Sequence, residues 1–234
     1  MLPKSIFFVV IVFLLNLTAF AQFNTKLKYG KVKDIDGNKY KTIKIGTQTW
    51  MAENLRTTKY RNGTPIKNIT DDDEWGKDET GAWCYYENDE SNNKPYGKLY
   101  NWYAVANNNQ ICPKGWHVPT DEEWTTLINY LDPEADGGDK DDNIAGGKMK
   151  STGTQCWISP NEGATNSSGF SALPGGYRED GGIFGYIRFL GIWSSSTKYD
   201  TSYSWYRHLF YENGLVGRFS DAKTPGFSVR CLRD

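Results

Sequence analysis

An α+β chain, with helices set apart from a small antiparallel sheet and long loops between them, is what this sequence predicts. Three observations carry that expectation. Thr120 to Leu131 holds one well-marked helix, Val32 to Ile45 alternates apolar and polar residues about Asp36-Gly37, and a run of short apolar strands separated by glycine turns fills the chain after Tyr186.

The helix is the most fully specified element. Thr120 is an N-cap residue and Glu123 stands three places on, the spacing of a capping box, with Pro119 outside the cap able to pack on Trp124. Trp124, Leu127, Ile128 and Leu131 recur at i, i+3, i+4 and i+7, so one apolar stripe faces a core. Asp132-Pro133 ends the helix, because a residue before proline is driven out of the α region. Leu99, Trp102, Tyr103 and Ala106 predict a second, shorter helix stopped by Asn107-Asn108-Asn109.

Asp36-Gly37 is a hairpin turn signal, and Gly46-Thr47 turns the chain into a further strand at Gln48 to Met51. Ala82 to Tyr86 is an aromatic strand, and Phe170 to Leu173 a short apolar one inside a long loop. The closing meander comprises Tyr186 to Leu190, Ile192 to Ser194, Tyr203 to Phe210, Leu215 to Phe219 and Phe227 to Leu232, with Asn213-Gly214 as a hairpin turn.

Residues 1–21 have the pattern of a signal peptide: Lys4 at the positive end, an apolar run from Ile6 to Leu17 broken by Asn16, and Ala19-Phe20-Ala21 at the cleavage point. A tether and first strand follow over 22–42, then one domain over 43–234. No later segment approaches the length of a membrane helix, so an exported protein of the periplasm, outer surface or medium is expected. The formal charge is −1, and −2 once Lys4 leaves, which offers no basic excess to nucleic acid or anionic lipid. Aromatics make up 15% of the chain, with Trp 9 and Tyr 15, so the core is expected to be built from rings, and a minority are free to stack on sugars.

Cys84, Cys112, Cys156 and Cys231 form an even set, allow three pairings and show no metal spacing. A Cys112–Cys231 bridge would tie the last strand to the centre of the domain, leaving Cys84 and Cys156. The acidic run Asp71 to Glu74 is read as a solvated loop, with a cation site as the alternative, since a hard cation needs oxygen ligands from several directions. Asp139, Asp141 and Asp142 form another candidate calcium cluster that lacks the glycine and terminal glutamate of an EF-hand, so no metal and no cofactor are expected. His117 and His208 are the only neutral-pH bases, and neither sits in a hydrolase, zincin or phosphate-loop motif, so a non-enzymatic role is expected.

Five stretches together resemble the Fibrobacter succinogenes major paralogous domain: WCYY from Trp83, YGKLYNWYA from Tyr96, CPKGWHVPT from Cys112, SGFSALPGGYR from Ser168 and GFSVRC from Gly226. The resemblance runs from about Ile43 to the C-terminus and implies an exported bacterial protein of the cell envelope. Pro119 to Trp124 and Gly226 to Arg230 are also similar to motifs of the formylglycine-generating enzymes, which implies a C-type-lectin-like fold. The paired reactive cysteines of those enzymes have no counterpart between Cys156 and Cys231, and the Glu-Pro-Asn and Trp-Asn-Asp motifs of calcium lectins are missing, so neither activity is implied.

The expected function is therefore recognition of a glycan or cell-surface protein through the loops after Lys150, with a structural surface protein or a two-carboxylate hydrolase as alternatives. In the fold resembled, long loops carry recognition, which singles out Asn161, Glu162, Asn166, Tyr177, Arg178 and Trp193 as ligand-binding residues. Amides and a carboxylate orient hydroxyls, arginine pairs with an acidic group, and rings stack.

Overall fold

The computed structural model describes residues 23–140 and 142–234; the leader read at 1–21 and Asp141 lie outside the described residues. The chain is mixed α and β, mostly sheet with few helices. In order it runs β1 (Gly30–Lys33), β2 (Lys39–Ile45), β3 (Gln48–Met51), β4 (Lys67–Asn68), α1 (Asp72–Lys77), β5 (Ala82–Cys84), α2 (Asn93–Tyr96), β6 (Leu99–Tyr100) and α3 (Trp102–Val105). Then follow β7 (Trp116–His117), α4 (Asp121–Leu131), α5 (Ala145–Met149), β8 (Tyr177–Arg178), β9 (Phe184–Gly185), β10 (Leu190–Lys198), β11 (Tyr203–Phe210), β12 (Gly217–Ala222) and β13 (Leu232–Arg233).

The first sheet has the order β1-β2-β3-β13-β7, so the last strand is inserted between elements from the first half of the chain. The hairpin β1–β2 turns at Asp36-Gly37, where Gly37 has φ +90°, a region that only glycine enters without strain. Asp34 closes that turn by accepting from the Asn38 N–H at 2.8 Å and the Tyr40 hydroxyl at 2.5 Å. Cys112 and Cys231 are disulfide-bonded across a separation of 119 residues, clamping the lead-in to β7 against the approach to β13. Cys84 and Cys156, the leftover pair, are both free and buried; they belong to different hydrophobic clusters.

The α4 helix forms as its sequence requires. Glu123 N–H donates to the Thr120 hydroxyl at 3.2 Å while Thr120 N–H donates to the Glu123 carboxylate at 2.8 Å. Trp124, Leu127, Ile128 and Leu131 are all buried, and Asp132 takes an extended conformation before Pro133. Trp124 meets Trp50 at a centroid distance of 4.6 Å and Phe170 at 5.9 Å, and Phe170 meets Trp193 at 6.1 Å. Rings thus fill the centre where aliphatics are scarce.

The second predicted helix is mostly not one. Leu99 and Tyr100 pair as β6 with β5, and Tyr100 also exchanges backbone hydrogen bonds with Phe227. Only Trp102–Val105 is helical, capped by the Asn101 side chain, which accepts from Ala104 N–H at 3.1 Å. Strand partners distant in sequence outweigh a single turn of local spacing, because so short a helix gains little on its own. Among the described residues four of the five α elements have six residues or fewer, and only α4 is a helix of full length. Phe170 to Leu173 likewise forms only a bridge, Ala172 to Lys150, and 23–29 has no regular element although Phe23, Leu27 and Tyr29 pack against the core.

Buried and half-buried cations hold the long loops. Lys150, fully buried, donates to the carbonyls of Glu162 at 2.7 Å, Phe210 at 3.0 Å and Asn213 at 2.7 Å. Arg230 donates to the carbonyls of Phe170 and Ser171 and to the Asn54 side chain, and Arg61 to those of Cys112, Pro113 and Trp116. Irregular backbone buried in this way must find donors, and a long side chain with several N–H groups supplies them where no strand can.

Candidate functional site

The six loop residues singled out from sequence do not share one surface. Asn161 is buried and donates to the carbonyls of Ser151 at 2.9 Å and Gly153 at 2.8 Å. Asn166, also buried, accepts from Ser171 N–H at 3.0 Å. Trp193 lies in the core with its indole N–H on Asn54 Oδ1 at 2.9 Å. Arg178 is fully buried over Trp75 and Phe184, and donates to the carbonyls of Ile69, Thr70 and Gly182 and to Asp72 at 2.6 Å. These four side chains are occupied in holding loops together. Glu162 is exposed, with its N–H on the Tyr211 carbonyl at 2.7 Å, and Tyr177 is half-buried.

Tyr177 leads to a different grouping. Its ring stacks on Tyr186 at 5.9 Å and 14° and meets Phe227 edge-on at 6.4 Å. Phe227 touches Tyr206 at 5.1 Å, Tyr206 lies beside Phe219 at 6.3 Å, and Phe219 beside His208 at 5.2 Å. The sheet β10-β11-β12 explains the arrangement. Tyr206 and His208 alternate onto one face of β11, and Phe219 is the register partner of Tyr206 on β12. The opposite face of β11 carries Arg207 and Leu209, which are buried toward the core. One side of this small sheet is thus packed, and the other presents a row of rings.

The row is exposed chiefly at Tyr186 and Phe219, each 54% accessible, with Tyr177, Tyr206 and His208 half-buried between or beside them. Tyr186 adopts φ +63°, unusual for a bulky side chain, and the carbonyl of the same residue accepts from Phe189 and Leu190 N–H. His208 lies flat over Gly217: a Cβ there would stand 2.3 Å from the imidazole. Any other residue at 217 would displace the ring.

Carboxylates border the rings. The Tyr177 hydroxyl donates to Glu179 at 3.1 Å. Burial, that hydrogen bond and the Glu179 charge push the Tyr177 pKa up to about 12. Burial and the nearby Asp221 charge likewise push Tyr206 up to about 12, so both phenols remain hydroxyl donors at neutral pH. The Asp221 carboxyl lies above its ordinary range: burial raises it, the Ala222 N–H pulls it back, and Asp180 and Glu179 add to the rise. Burial pushes His208 down, which keeps its imidazole neutral. A face of this kind can stack on the C–H side of a sugar ring and accept from hydroxyls at the rim.

The model of the Fibrobacter succinogenes major domain matches residues 43–233. The chain belongs to that family. No curated protein and no solved structure matches it. The Fibrobacter succinogenes major domain match starts inside β2, yet β1 and the first half of β2 complete the same sheet.

The acidic stretches of the Fibrobacter succinogenes major domain are bound up with its fold. Asp71 caps α1 by accepting from Glu74 N–H at 2.9 Å, Asp72 pairs with Arg178, and Asp139 pairs with Arg218 at 2.8 Å. Sequence reasoning passed over Tyr186, Tyr206, Phe219 and Asp221. The alternation of Tyr206, His208 and Phe210 on one strand was the available sign. Which face of that strand was packed was not, because it depends on what α4 and the Gly226–Arg230 segment cover.

Proposed function

We propose that this domain is an exported, non-catalytic recognition module of C-type-lectin-like architecture that binds a glycan across the ring row of Tyr186, Tyr177, Tyr206 and Phe219 at the bacterial cell envelope. The observation that carries the reading is the row itself: Tyr206 and Phe219 on the outer face of β11 and β12, continued by Tyr177 and Tyr186, with Glu179 and Asp221 at its rim. Stacking supplies affinity and the carboxylates and phenols supply orientation. Export is supported by the leader pattern and by the Cys112–Cys231 bridge, which suits an oxidising compartment. Among the described residues no helix is long and apolar enough to cross a membrane.

A glycan array with the mature chain tests this reading, followed by Tyr186→Ala and Phe219→Ala. Binding that falls in both variants while their melting stays close to the parent supports it. Undiminished binding in both moves the site to other loops, and silence toward every glycan favours an envelope protein partner or a structural surface role. Arg178 and Trp193 are unsuitable probes, since their loss would disturb the fold before any ligand.

A further inference from the structure

The shape and charge of the row restrict the glycan it takes, on the glycan reading above. Tyr206, His208 and Phe219 stand on one face of β11 and β12, Tyr177 lies on β8 and Tyr186 in the turn after β9, and the buried Phe227 joins the two groups: neighbouring centroids are 5.1 to 6.4 Å apart from Tyr186 through to His208. At the Tyr186 end the row continues into an apolar depression of about 290 Å³ lined by Tyr86, Gly185, Tyr186, Ile187 and Phe189. A platform of this form offers successive stacking places of about one sugar ring each and nothing that wraps a chain terminus. Its rim is acidic. Glu179, Asp180 and Asp221 lie close enough to influence one another, and among the described residues none of the three is in a salt bridge. The guanidinium nearest in the chain, Arg178, is buried and spent on carbonyls and Asp72. Arg188, beyond Tyr186, is exposed, and its guanidinium donates to the carbonyls of Cys156 and Thr154. A negatively charged polymer brought along the row would meet the like charge of Glu179, Asp180 and Asp221.

We infer that the row binds the interior of a linear glycan chain free of acidic groups, with several consecutive sugar rings lying along Tyr177, Tyr186, Tyr206 and Phe219. Each added sugar reaches another ring until the row is covered, so affinity depends on chain length. The two exposed ends of the row act separately. An acidic chain is refused by charge and not by shape.

Calorimetry of the mature chain with neutral β-linked gluco-oligosaccharides from dimer to hexamer, and with an oligogalacturonide hexamer at low salt, tests this. Affinity is expected to rise along the neutral series. Tyr186→Ala and Phe219→Ala are each expected to weaken the neutral hexamer by about tenfold. Tyr130→Ala, an exposed ring on α4, should leave it unchanged. The acidic hexamer should bind at least about tenfold more weakly than the neutral one, with Asp221→Asn narrowing the gap. A dimer that binds as tightly as the hexamer, or an acidic hexamer that matches the neutral one, overturns this inference and leaves glycan binding standing. Failure of every oligosaccharide to bind, together with a silent array, overturns both.

Discussion

Replacing Lys150 by methionine removes the ammonium that three loop carbonyls share while keeping the length of the side chain. In the parent, Lys150 Nζ lies 2.7 to 3.0 Å from the carbonyls of Glu162, Phe210 and Asn213, and 5.4 Å from the Trp157 ring centre. A buried acceptor left without a donor costs about 1–3 kcal/mol, and a charged donor makes the loss larger. Methionine returns some of this, because it fills the space and no longer requires an ammonium to be stripped of water. The net destabilisation expected for Lys150→Met is about 3–4 kcal/mol, read as a shift in urea midpoint at pH 7 with unchanged slope. The pH dependence has a definite sign. Burial holds the Lys150 pKa down at about 8, against an ordinary value of 10.5. Between those values the unfolded chain keeps a proton that the folded chain has released, so parent stability rises with pH over that window. The gap between parent and variant should therefore widen from pH 8 upward. A variant within about 1 kcal/mol of the parent would show that Lys150 does not hold these loops, and a gap that narrows over that range would show that the fold favours the ammonium and that burial does not lower its pKa.

Three further outcomes are expected. Changing Cys112 and Cys231 together to serine should cost about 4–5 kcal/mol, from the loop of 119 residues that the bridge closes, and peptide mapping without reductant should recover Cys84 and Cys156 as thiols reactive only after unfolding. Trp124→Ala should cost about 3–5 kcal/mol, since the ring is fully buried against Trp50 and Phe170; a melting point within a degree or two of the parent would count against that packing. His117 is pulled down by burial but raised overall by Asp234 at 2.6 Å and Glu123 at 3.0 Å. Its contribution to stability is therefore full below the ordinary histidine value and lost as pH rises through the raised one, and Asp234→Asn should flatten that part of the stability profile.

Local chemistry made α4 and the first hairpin legible. The Thr120–Glu123 box and the Asp36-Gly37 turn complete their hydrogen bonds within a few residues of themselves, and the spacing of the Trp124–Leu131 stripe marks a helix whatever distant residues it packs against. The segment from Leu99 to Ala106 was not legible in that way, because the strand partners of Leu99 and Tyr100 come from Ala82 to Cys84 and from Phe227. Loop polarity was misleading for a related reason. Asn161, Asn166 and Arg178 are polar residues in loops, and the buried carbonyls and N–H groups around them required those side chains as internal partners.

The sequence by itself determined the position and capping of α4, the turn at Asp36-Gly37, the family and the candidate disulfide partners, all of which depend on near neighbours or on strings of residues in fixed order. Only the tertiary structure decided that Trp193 is core while Tyr206 and Phe219 stand on the outer face. Rings on a strand alternate between faces by geometry alone, and whether a face is wet or dry depends on what distant elements pack against it: α4 covers one side of this sheet, and the other is left to the ring row.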